Sequence, residues 1–241
     1  MKFLALAWVF LTLPLFAQMK SPETIVAAAD RSEADRARDA IREPAGLLTF
    51  AGLKEGMRAA DLGAGGGYTT ELVVRAVGKT GTVYLQNPAS WKGFVDKPLA
   101  ERLAKPVMAG TKRLDSDFED PLPGEAKNLD AVLMVLIYHD VCNMPVDRAV
   151  MNKAIFDALK PGGIYIVVDH RAKEGAGTTA TKTIHRIEEK TVRAEIEAAG
   201  FEFVAESDFL SDSKDGRDTM AFVRPVQPST DRFALKYRKP K

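Results

Sequence analysis

The chain has 241 residues, of which 46% are hydrophobic and 28% charged, and its formal charge is +1. This is ordinary globular composition and fits one α/β domain with short extensions. The balance of charge gives nucleic acid no electrostatic footprint, and the single cysteine, Cys142, excludes an internal disulfide and stands at no metal-finger spacing.

Met1-Lys2 is a short positive segment, Phe3 to Leu13 is apolar, and Leu15-Phe16-Ala17 places a small residue before Gln18. The pattern predicts a signal peptide over residues 1–17, cleaved after Ala17, and a periplasmic or secreted mature protein. The apolar run is shorter than the roughly 20 residues of a spanning helix, so no stable membrane insertion is expected once the leader is cut. Residues 18–43 read as a helical extension. Ser21-Pro22-Glu23-Thr24 supplies an N-cap with proline in the first turn. Ile25 to Arg42 follows with Asp30-Arg31, Asp35-Arg36 and Arg38-Asp39. Such a charged helix is ordinarily a solvated face; here it is expected to pack as a flap over the ligand side. A short apolar helix runs from Pro44 to about Ala51, and Leu53 to Gly56 turns the chain into a strand.

From Met57 to Tyr68 apolar residues climb to Asp61, and Gly63, Gly65 and Gly67 then alternate. A buried strand running into such a turn lets a ligand touch the backbone. The helix beginning near Tyr68 aims its free N–H groups and positive dipole end at that place. The dinucleotide fingerprint needs a third glycine where Tyr68 stands and an acid about 20 residues on, where the chain has Gln86-Asn87. A nicotinamide cofactor therefore fits poorly.

The helix continues to Gly78, and Thr82 to Leu85 forms a second strand. Trp91 to Lys105 is interrupted by Pro98, which places a helix from Pro98 to Ala104; Val107 to Leu114 reads as the third strand, followed by Asp115-Ser116-Asp117. Leu129 to Val135 is a continuous apolar run, the mark of a parallel strand covered on both faces. A helix from Pro145 to Leu159 stops at Pro161-Gly162-Gly163, and the strand Ile164 to Val168 ends in Asp169-His170-Arg171. A polar loop leads to Ile184-His185-Arg186, a helix from about Ile187 to Ala199 and a strand from Phe201 to Ala205. Ser207 to Thr230 is loop with a short ordered piece near residues 220–223, and Phe233 to Arg238 alternates as an antiparallel last strand.

Asp61, Gly63, Gly65 and Gly67 meet the pattern Asp-x-Gly-x-Gly-x-Gly, and Leu159-Lys160-Pro161-Gly162-Gly163 stands before an apolar strand. Together these resemble the class I S-adenosylmethionine-dependent methyltransferases over about Pro44 to Lys239. The leader, the Asp-Arg helix, Tyr138-His139-Asp140, Asp169-His170 and His185-Arg186 resemble a subgroup of exported bacterial predicted methyltransferases. The resemblance implies a doubly wound, mostly parallel seven-stranded sheet with an antiparallel last strand, in a three-layer αβα domain over residues 44–241. It implies S-adenosylmethionine held by Asp61, Gly63, Gly65, Gly67 and Tyr68, with Asp117 reading the adenine amino group. The acid that takes the ribose hydroxyls in the family is replaced by Gln86-Asn87, and Asn87 is assigned the contact.

The chain's three histidines, His139, His170 and His185, all fall on the carboxyl edge of the sheet, where such folds bind ligands. An acceptor must lose a proton near methyl transfer, so His170, and after it His139, is the candidate base. Asp140 and His185 complete the candidate catalytic set, and Arg186 is a possible anchor for an acidic group. Asp140 and Asp169 with His170 or His185 offer an alternative, a divalent cation chelating a diol as in catechol-type enzymes. The additional amide ligand of those enzymes has no match, and no metal ligand is assigned. A third reading is a binding protein that keeps the fold without transfer. The substrate class expected is a small molecule, and the sequence carries no signal of oligomeric state.

Overall fold

The computed structural model describes residues 21–222 and 229–241; the leader read over residues 1–17 lies outside them. The strands are β1 (Arg58–Leu62), β2 (Thr82–Asn87), β3 (Thr111–Asp115), β4 (Leu129–Val135), β5 (Leu159–His170), β6 (Glu202–Ser207) and β7 (Arg232–Arg238). Among the described residues they form a seven-stranded sheet in the order β3-β2-β1-β4-β5-β7-β6. Only β7 runs antiparallel to its neighbours. This is the fold class expected from the sequence.

The helices are α1 (Pro22–Val26), α2 (Glu33–Arg42), α3 (Pro44–Ala51), α4 (Tyr68–Val77), α5 (Lys92–Leu103), α6 (Tyr138–Val141), α7 (Arg148–Ala158), α8 (Thr181–Ile184) and α9 (Glu189–Ala198). The two-residue alternation of β4 divides its side chains between two cores. Val132 and Met134 join Ile155 of α7 and Ile196 of α9 on one face, while Ala131 and Leu133 join Leu48 of α3 and Val73 of α4 on the other. Strand order reverses between β1 and β4, and a crevice outside the carboxyl ends of the strands opens at such a switch.

Several boundaries differ from the sequence reading for identifiable reasons. The helix expected over Ile25 to Arg42 is two helices, because Ser32 caps a second start by accepting from the Asp35 N–H at 3.1 Å. Helix α5 begins at Lys92 and carries Pro98 inside it. A proline there costs about 3 kcal/mol, offset by Val95 and Leu99, which are buried at 2% and 0% exposure on either side of it. Tight 3-10 backbone occupies Pro106–Gly110, so β3 starts only at Thr111. The Pro161-Gly162-Gly163 segment lies within β5, and its backbone closes on Lys239 through Gly162 N–H and Gly163 C=O, both at 2.9 Å. Helix α9 starts at Glu189, and β6 runs on to Ser207. No helix or strand forms over Met220 to Phe222, and Val223 of the ordered piece read there lies outside the described residues.

Candidate functional site

The glycine turn opens into a cavity of about 690 Å³, within the range of small-molecule sites. Asp61, Gly63, Gly65 and Tyr68 line one side of it, Arg38 and Arg42 come from α2, and Ile137, Asp140 and Phe222 come from beyond β4. The turn's glycines are required for different reasons. A Cβ on Gly63 would stand 2.8 Å from two carbons of Ile137, whereas a Cβ on Gly65, at φ +54, would meet nothing within 4 Å. What Gly65 leaves empty is cavity.

The strand-end amides hold this turn in shape. Gln86 accepts the Gly63 N–H at 2.9 Å and donates to the Ser116 carbonyl at 2.6 Å. Asn87 accepts the Gly65 N–H at 2.8 Å and donates to the Gly65 carbonyl at 3.0 Å. Successive side chains of a strand point to opposite faces, yet both amides bond the turn, from its two sides. Asn87, assigned the ribose contact, is 1% exposed, and its amide bonds the backbone of Gly65 through both its oxygen and its nitrogen. Asp117, read as the adenine contact, is exposed and is not among the residues lining this cavity. Asp61 accepts the Thr70 hydroxyl at 2.6 Å, and burial pushes its carboxyl up to about 7 despite that bond and the nearby Arg42.

Helix α2 is no solvated face on its inner side. Tyr68 donates its hydroxyl to Asp39 at 2.6 Å, and Arg31 grips the same carboxylate at 2.6 and 2.7 Å. Arg102 of α5 grips Asp35 at 2.8 and 2.9 Å and also donates to Glu71 and to the Gly66 carbonyl. Burial alone would raise the Glu71 carboxyl, yet Lys105, Arg75 and Arg102 around it hold it below the usual range. The extension therefore packs over the glycine turn through buried charge pairs.

The three histidines do converge, around the ring of Phe222, whose centroid lies 5.9, 5.1 and 5.3 Å from those of His139, His170 and His185. His170, the first choice as base, is fully buried and off the cavity wall, with Nδ1 on the Thr230 hydroxyl at 2.8 Å. Burial pushes its pKa well below the usual value, with His139 and nearby arginines adding to the effect. His139 is also fully buried; its Nδ1 lies 2.6 Å from Asp169, whose other oxygen accepts the His139 backbone N–H at 2.8 Å. Burial works against its charge, but Asp169 and Asp140 outweigh that and raise its pKa, so it is a poor base near neutrality. Of the candidate catalytic set only Asp140 lines the cavity. His185 stands 3.1 Å behind it. Arg186, proposed as an anchor, is fully buried and locked on Asp215 and the Thr219 carbonyl.

Arg38, Arg42, Trp91 and Phe222 escaped the sequence reading. Arg38 and Arg42 share one helix face at i,i+4 spacing, which was readable; Phe222 arrives from a loop without pattern.

No model of a known protein family matches the chain, and no curated protein matches it either. Solved structures share the fold. A SAM dependent methyltransferase from Aquifex aeolicus is 19% identical, with 84% of this chain and 92% of that one covered and a TM-score of 0.61. The cyclase SpnF is 18% identical, with coverage of 86% and 81% and a TM-score of 0.59. Fibrillarin from Aeropyrum pernix, in complex with natively bound S-adenosyl-L-methionine, is 17% identical, with coverage of 80% and 73% and a TM-score of 0.52. At such identities the likeness is one of fold.

Proposed function

We propose that the protein is an S-adenosylmethionine-dependent methyltransferase acting on a small molecule, with the cofactor in the cavity between the glycine turn and α2. The observation that carries this reading is Gly65, held at φ +54 by Asn87 with only cavity beyond its Cα. That is a cradle an added methyl group would fill, on a turn whose spacing the dinucleotide cofactors do not share.

Arg38 and Arg42 supply cations for a carboxylate, and Trp91 and Phe94 supply flat apolar surface for a base. Asp61 at the strand end is the acid for a cationic group. Bound there, S-adenosylmethionine supplies a methyl group made electrophilic by a sulfonium. An acceptor such as a phenol must give up a proton. Burial raises the Asp140 carboxyl, but His139 and His185 hold it below the usual range, so it is an ionised hydrogen-bond acceptor on the cavity wall, suited to orienting the hydroxyl of an acceptor and too weak a base to take its proton alone.

Calorimetry with S-adenosylmethionine, its demethylated product and NAD tests the assignment. The first two are expected to bind; binding of NAD alone overturns the reading. A second reading, a binding protein that keeps the fold without transfer, is favoured by the closure of Asn87 on Gly65, which leaves no acid at the ribose position. A cyclase shares this fold, and fold does not fix function. Methyl transfer from labelled cofactor to small-molecule acceptors separates the two. We also propose export, from the charged, apolar and small-residue order of the first 17 residues. The mature chain should start at Gln18, and a full-length chain in the cytosolic fraction would overturn this.

A further inference from the structure

Three donor atoms meet where β4 and β5 end. Asp140 Oδ1 lies 3.3 Å from His139 Nε2 and 3.1 Å from His185 Nδ1, and the three donors are all within 4.8 Å of one another. Ligand atoms on a tetrahedral ion with bonds of about 2.0–2.1 Å stand about 3.3 Å apart, so two edges of the triangle already have coordination length. His139 is fully buried, and its Nε2 faces Asp140 at 3.3 Å without making a well-aligned hydrogen bond. A buried polar atom left without a hydrogen bond calls for an explanation.

The surroundings of that atom have the form of a supported ligand. Asp169 takes the other ring nitrogen of His139 at 2.6 Å and its backbone N–H at 2.8 Å, fixing both the ring and its orientation. A carboxylate behind an imidazole is the arrangement that orients metal-bound histidines. His185 ends α8 as its left-handed C-cap at φ 53, which carries its ring from the helix end toward Asp140.

We propose that His139 Nε2, Asp140 and His185 Nδ1 form a three-ligand site for a first-row divalent transition metal, zinc in the first instance. Two imidazoles and one carboxylate suit zinc or iron, whereas magnesium prefers oxygen ligands. Asp140 lines the cavity, so the ion's open positions face the space where an acceptor would lie, and a hydroxyl on it would lose its proton more readily. Asp169, read earlier as a ligand, stands behind one. An incoming ion displaces the proton on His139 Nε2. The site does not depend on the cofactor assignment.

The test is calorimetric titration of the chelator-treated full chain, without a polyhistidine tag, with zinc sulfate, together with visible absorption after cobalt(II) is added. One equivalent of zinc should bind, and cobalt should give a d–d spectrum. His185 is a third exposed at its side chain (32%), so His185→Ala leaves the core intact and should weaken zinc at least tenfold and remove the cobalt bands. Asp169→Asn should weaken zinc about 10–100-fold without changing the stoichiometry. No zinc uptake by folded protein, or uptake unchanged in both His185→Ala and Asp140→Asn, overturns the proposal, as does magnesium competing on equal terms. Cofactor binding without zinc uptake refutes this site alone, and zinc uptake without cofactor binding refutes the cofactor reading alone.

Discussion

Replacing Gly65 by alanine should separate the cost to the fold from the cost to the ligand. The new Cβ meets nothing within 4 Å, so the fold bears only the backbone term of an L-residue at φ +54. That term is about 1–2 kcal/mol, which for a domain of this size lowers Tm by roughly 2–8 °C. The methyl group stands where the ligand would approach the backbone, and the expected loss of cofactor affinity is at least about tenfold, or ~1.4 kcal/mol. Gly63→Ala behaves differently, since its Cβ would press on Ile137 at 2.8 Å; overpacking adds about 1–3 kcal/mol to the same backbone term. Differential scanning calorimetry of both variants, with titration of S-adenosylmethionine and its demethylated product, reads the two costs. Wild-type affinity in a folded Gly65→Ala protein would refute the reasoning, because the open space beyond Gly65 would then not be the binding space.

Asn87→Asp, which a family-based reading expects to tighten the cofactor, should instead lose the bond to the Gly65 carbonyl and set a carboxylate against it. A destabilisation of about 1–3 kcal/mol should appear in urea melts. Asp61 is raised from 3.8 to about 7 in the folded chain. The folded state therefore holds the extra proton between these values, and this carboxyl's contribution to stability, full below pH 4, is lost as pH rises to about 7, by ~4 kcal/mol at most. Asp61→Asn should remove that slope, so the difference in stability between variant and wild type should grow in the variant's favour from pH 4 to 7 in denaturant titrations; a constant difference would count against it. Arg102→Met breaks the grip on Asp35, Glu71 and the Gly66 carbonyl. Breaking a buried pair from one side costs about 3–5 kcal/mol, which thermal unfolding should register.

The sheet was legible because its strands obey one-dimensional rules. β4 is seven residues of which only Asp130 is polar, and β7 alternates, so both were found within a residue. Helix α5 was cut short because Pro98 reads as a boundary, while in three dimensions its ring lines the cavity beside the glycine turn. That the histidines share an edge followed from chain position alone. That His170 turns to Thr230, 60 residues away, did not, since the partner lies in a loop without periodicity. Residue type correctly marked Gln86-Asn87 as unusual, but an amide that closes on a neighbouring backbone and one that awaits a ligand are spelled alike.

The placement of α2 has a kinetic consequence. This helix precedes every strand of the sheet, yet Asp39 must meet Tyr68, 29 residues on, and Asp35 must meet Arg102, 67 residues on. Closure entropy grows with the length of chain between partners, and contacts of high sequence separation form slowly. The roof of the cavity is thus synthesised before the sheet it covers and docks only when α4 and α5 already stand on β1 and β2. In refolding experiments, recovery of ligand binding should lag the recovery of sheet ellipticity, and the lag should lengthen in salt that screens the charge pairs holding the roof.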